Sequence, residues 1–163
     1  MTEHQRLFWA QARSDFAVYE YLAEQPYCHR LHYLQMSSEK LAKAYVLHRR
    51  AQVAMKSHKA FIAFWRTIAD NDRVRMSLGY GRQQQWQEKL RSASDIAYAI
   101  QQLAPALAKD GPNPEYPWPH DDPKYAPVEY AFPIEQRLES SRQGQDFIRL
   151  LSRLIENFPQ WWA

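Results

Sequence analysis

The amino-acid sequence predicts an all-α protein, an up-and-down four-helix bundle with one extra short helix and a long loop, rich in proline and aromatic residues, before the last helix. Three observations predict it. Apolar residues recur at alternating spacings of three and four along the long segments, as on one face of a helix. Seven prolines between residues 106 and 133 exclude helix and central strand there. The chain has 163 residues, 45 % of them hydrophobic and 14 % aromatic, enough to bury one core without disulfides or metals. A single domain over residues 1–163 is expected.

Each element follows from its own residues. Over residues 3–25, Trp9, Ala12, Phe16 and Tyr19 form an apolar stripe with no Gly or Pro inside, and Pro26 ends that helix. A second helix is expected over residues 27–55, where Tyr27, Leu31, Leu34, Ser38, Leu41 and Tyr45 repeat. The tight Pro26 corner makes the two antiparallel neighbours. Residues 56–69 predict a shorter helix, with Phe61, Ile62, Phe64, Trp65 and Ile68 inward and Ser57 placed to cap its start. Polar residues 70–75, Gly79 and Gly81 mark a break. Trp86, Leu90, Ala93, Ala97, Ile100, Ala104 and Leu107 carry the cleanest helical period. Residues 106–133 hold Tyr116, Trp118, Tyr125, Tyr130 and Phe132 and should form an ordered strap across the bundle. One final helix is expected over residues 134–158, with Ser141 and Gly144 permitting close helix approach.

The charge is uneven. Residues 40–91 carry 12 basic and 3 acidic groups, and residues 92–136 carry 2 and 7. A basic middle can attract a phosphate-bearing partner or form a solvated face. The single cysteine, Cys28, excludes an internal disulfide, and no apolar run approaches the ~20 residues of a membrane span. A cytoplasmic protein without membrane contact is expected.

Polar residues border the seam of the second helix. At about 100° per residue, Gln35 lies beside the Leu31–Leu34–Leu41 stripe, and His32, Glu39 and Lys43 lie just beyond it. Asp15 can face the same groove from the first helix. Asp15, His32, Gln35, Glu39 and Lys43 are thus expected to form an inter-helix cluster that either sets helix register or binds a polar ligand. Arg49, Arg50, Lys56, Lys59 and Arg66 surround the next junction with Phe61, Phe64 and Trp65 interleaved. Arg and aromatic groups can hold RNA or a nucleotide through phosphate contacts and stacking, and the same aromatics can be core. With Arg49 and Lys59, the cluster makes up the candidate ligand-binding set. Metal-independent RNA cleavage needs a His for proton transfer and an Arg for phosphorane charge, so Arg50, His58 and His120 are the catalytic candidates. His29 and His32 share a face but lack a Cys pair or Glu-x-x-His partner, and no metal or cofactor is expected. The aromatic end, Phe158-Pro-Gln-Trp-Trp162, either docks on its own bundle or seals a subunit contact.

Three segments resemble the HEPN family of small helical-bundle proteins: Trp9-Ala-Gln-Ala-Arg-Ser-Asp-Phe16, His32-Tyr-Leu-Gln-Met-Ser-Ser-Glu-Lys-Leu-Ala-Lys-Ala44, and Ser57-His-Lys-Ala-Phe61. The run Asn113-Pro-Glu-Tyr-Pro-Trp118 is similar to the family's loop ahead of the last helix. The resemblance implies a four-helix bundle, a homodimer, association with nucleotides or RNA, and a small nucleotidyltransferase as partner in a toxin-antitoxin pair. Ribonuclease members carry an Arg, four to six intervening residues and a His near the last helix. Here Arg50 and His58 are separated by seven residues and lie far from that helix, and His120 has no Arg in the window. The expectation is a nucleotide- or RNA-associated homodimer that is non-catalytic or catalytically degenerate. The alternatives are a ribonuclease toxin and a protein-protein adaptor using the aromatic end and the Pro-rich loop.

Overall fold

The computed structural model describes residues 1–46, 58–118 and 125–162. These are overwhelmingly helical, and the described residues contain no strand beyond one isolated bridge between Trp118 and Tyr125. Helix α1 spans Glu3–Tyr21 and opens on a capping box, in which the Gln5 amide donates to Thr2 Oγ1 at 3.3 Å and the Thr2 amide to Gln5 Oε1 at 2.7 Å. Residues 22–25, expected to be helical, form turns instead, since Pro26 cannot donate the next helical bond. Helix α2 spans Tyr27–Val46, and the expected extension to residue 55 lies outside the described residues.

Helix α3, Ala60–Ile68, starts from Lys59, which gives no side-chain cap; Ser57, the expected cap, lies outside the described residues. The polar stretch read as a break contains a short helix, α4, over Asp72–Ser77, because the Asn71 side chain accepts from the Val74 amide at 3.2 Å and caps it. Its far end is the break predicted by the glycines. The Tyr80 amide bonds the Arg75 carbonyl and the Gly79 amide bonds that of Met76, a closure that requires positive φ at Gly79, 77°.

Helix α5, Gln83–Gln102, ends before Leu107 despite the periodic pattern, since Ala104 is extended (ψ 128°) ahead of Pro105. Pro105–Ala108 makes one helical turn, α6, with proline at the first position where its missing N–H costs nothing. The final helix is two. Helix α7 spans Pro133–Ser140 and α8 spans Arg142–Asn157, separated by Ser141 in an extended conformation (ψ 144°) whose hydroxyl accepts from the Gly144 amide at 3.0 Å. The small residues do permit close approach, but between the end of α7 and the start of α8, where Gly144 lies against Arg137 and Leu138. Ser141→Ala removes the cap and should cost about 1 kcal/mol, which for a chain of this size lowers Tm by about 3 °C in a calorimetric scan. An unchanged Tm would show that the bend is held without the cap.

The four long helices form a closed ring of neighbours, α1 beside α2, α2 beside α5, α5 beside α8 and α8 beside α1. Their contacts run antiparallel. Ser37 Oγ donates to the Ala12 carbonyl while Arg30 stacks on Tyr19, and Trp9 Nε1 donates to the Ile155 carbonyl at 2.7 Å. Lys89 of α5 meets Asp146 near the start of α8 at 2.8 Å, while Arg153, farther along α8, reaches back to the Leu78 carbonyl ahead of α5. The up-and-down bundle expected from the seams is therefore present. Helix α3 packs over α2 and α5, and its Phe61, Phe64, Trp65 and Ile68 are buried. Trp86 is fully buried and its indole donates to the Ile68 carbonyl at 2.8 Å, satisfying both groups inside the core. The aromatic end docks on its own bundle as a 3-10 helix, Phe158–Trp162, with Trp161 Nε1 bonded to Ser77 Oγ at 3.0 Å.

The proline-rich strap is ordered where described. Asn113, almost fully buried, accepts from the amides of Glu115 and Tyr116, and Trp118 is buried against Tyr130 and Phe132. No described helix is long and apolar enough to cross a membrane.

Candidate functional site

Gln35, Glu39 and Lys43 stand four residues apart, so α2 stacks them on one face. Glu39 is the centre. It is 7 % exposed and its carboxylate takes three partners: Lys43 Nζ at 2.6 Å on Oε1, and Gln35 Nε2 at 2.9 Å with His58 Nδ1 at 3.1 Å on Oε2. Burial opposes ionisation, but the Lys43 ammonium, His58 and Gln35 together outweigh it and hold the carboxyl below the usual glutamate range. An ionised carboxylate can only accept, so His58 carries a proton on Nδ1. That leaves Nε2 free to accept in the neutral ring or to donate in the imidazolium, on a side chain 44 % exposed at the turn before α3.

The expected five-residue cluster is divided among three sites. Asp15 is buried but pairs elsewhere, with Lys40 Nζ at 2.6 Å and Gln11 Nε2 at 2.9 Å, tying α1 to α2. His32 faces the strap, its Nδ1 3.4 Å from Glu115 Oε1, an ion-pair distance without hydrogen-bond alignment. Gln35, Glu39 and Lys43 remain together and gain His58. No spacing in the sequence marks Lys40 or Glu115 as partners of Asp15 and His32. Lys40 adjoins Glu39 in sequence, yet nothing in the spacing says that it reaches across to a residue 25 positions earlier.

Lys59 and Arg66 are exposed, seven residues apart beside and along α3. Arg49, Arg50, Lys56 and His120 lie outside the described residues. Phe61, Phe64 and Trp65 are core groups, 1 %, 0 % and 3 % exposed, and offer no face to a base. Cys28 is buried, and burial pushes its thiol up, away from the thiolate a nucleophile needs. Among the described residues no group of three or more His, Cys, Asp or Glu is placed to hold a metal.

The arrangement is a buried acid–base anchor with one accessible nitrogen. Glu39 fixes the His58 ring, and Lys43 neutralises Glu39 so that the carboxylate can stay charged in a nearly dry site. An imidazole so held can accept a proton from a bound hydroxyl or, once protonated, donate to an anion. Comparison with family models, with curated proteins and with solved structures finds no match to this chain.

Proposed function

We propose that the chain is a HEPN-type bundle that binds the phosphates of RNA or a nucleotide beside the start of α3, without cleaving them. The observation that carries this is the Glu39–His58 contact of 3.1 Å, which presents an oriented imidazole at the end of the basic stretch running through Arg49, Arg50, Lys56 and Lys59. Lys43 is no part of the phosphate contact, because its ammonium is spent on Glu39. The HEPN resemblance adds a homodimer, a nucleotidyltransferase partner and a cytoplasmic setting to the proposal.

A second reading rests on the same contact. A carboxylate-held imidazole is the arrangement of a general base, and His58 Nε2 could take the 2′-hydroxyl proton in a ribonuclease toxin. Fluorescence polarisation with a labelled single-stranded RNA separates the two. Binding should weaken on the order of tenfold between 50 and 200 mM salt if about three phosphates are contacted. It should weaken further in His58→Ala, with the RNA intact on a denaturing gel. A flat salt response discards the phosphate site, and cleavage lost in His58→Ala replaces it with the enzyme.

A further inference from the structure

A cleft lies away from His58, where the end of α1 and the first turn of α2 meet α7 and α8. It is an open cleft of about 390 Å³, toward the lower end of the volumes that hold small organic ligands. The Arg30 guanidinium carbon lies over two rings, 5.0 Å from the centroids of Tyr19 and of Tyr27. These two ring contacts hold a cation in the cleft, and its edges can make hydrogen bonds. One edge is taken by Glu139, whose Oε1 lies 3.2 Å from Nη1. The other is not: Arg30 Nε and the Tyr27 hydroxyl are both buried and have no hydrogen-bond partner.

Two buried donors without acceptors at one cleft are an unusual cost for a folded chain. The Tyr27 hydroxyl stays a donor, because burial and the neighbouring Tyr19 phenol hold its ionisation far above the usual range. Arg149, 67 % exposed, adds a second cation to the lining. Ile148 and the tyrosine rings supply apolar surface beside these charges.

We propose that this cleft binds a small organic oxyanion, its charged head between Arg30, Arg149 and the Tyr27 hydroxyl and its apolar body against Ile148. Glu139 then competes with the ligand for Arg30, as an internal carboxylate holding the guanidinium when the cleft is empty. This site is independent of the phosphate contact at His58.

Titrations followed by the Arg30 Nε–H resonance test it, with benzoate, phenyl phosphate and uncharged benzamide as probes. A saturable shift is expected with at least one anion and none with benzamide, and the tighter anion identifies a carboxylate or a phosphate monoester as the head group. Glu139→Gln should tighten binding about threefold and Arg149→Gln weaken it about threefold. Both side chains are at least half exposed, so these variants keep the fold. Absence of a saturable shift, an equal response to benzamide, or insensitivity to both substitutions overturns the proposal.

Discussion

Glu39→Ala should lower the free energy of unfolding by about 3 to 5 kcal/mol, measured by urea denaturation at pH 7. The cause is the lysine left behind. The Glu39 and Lys43 side chains are 9 % and 10 % exposed, and an ammonium held in that position without its carboxylate keeps its desolvation cost and loses its partner. Adding Lys43→Met removes the stranded charge, so the double variant should recover much of the loss, and the non-additivity measures the coupling. Equal and additive effects would show that the pair is solvated. The same carboxylate sets a pH dependence. Its folded pKa is depressed, so its stabilisation is complete above the ordinary glutamate value, about 4.3, and is lost as pH falls through the folded value. The Glu39→Ala chain should lack that part of the acid transition, and an unchanged acid profile would assign it to other carboxylates.

Gly144→Ala should destabilise by about 3 kcal/mol, although alanine is the better helix former by about 1 kcal/mol. A Cβ at Gly144 would stand 2.5 Å from Leu138 Cα and 2.8 Å from the Arg137 carbonyl carbon, and closer still to the Arg137 oxygen. These are backbone atoms of α7, which cannot rotate away as a side chain can. Relief requires α7 and α8 to separate, opening the core around Leu138 and Phe147. A calorimetric scan should show Tm falling by several degrees. A rise would mean that helix propensity decides and the contact is slack.

The seams were legible because helical period maps directly onto burial. Trp86, Leu90, Ala93, Ala97 and Ile100 are all buried on α5, as their spacing requires. The division at Ser141 was not legible, since Leu138, Phe147 and Leu151 continue the apolar pattern across it. What divides the helices there is the serine side chain bonding the Gly144 amide, a local choice that periodicity does not record. Of the candidate site, the Gln35–Glu39–Lys43 stack could be read from steps of four on one helix. Its fourth member could not, for His58 lies 19 residues from Glu39 and reaches it only because α3 folds back on α2. Asp15 and Glu39 are both buried acids facing lysines, and which lysine serves which acid depends on side-chain reach rather than spacing. Arg30 belongs to no motif, and its cleft exists only once α7 and α8 are in place.

The bond from Trp9 to the Ile155 carbonyl joins residues 146 positions apart. At a synthesis rate of about 5 to 20 residues per second, roughly 7 to 30 seconds pass between the synthesis of the two. Helix α1 can pair with α2 almost at once, but the face that receives α8 stays uncovered until α8 has been made. Trp9 and its neighbours are therefore among the last-covered apolar surfaces of a growing chain of this protein, where an intermolecular contact competes longest with the native one.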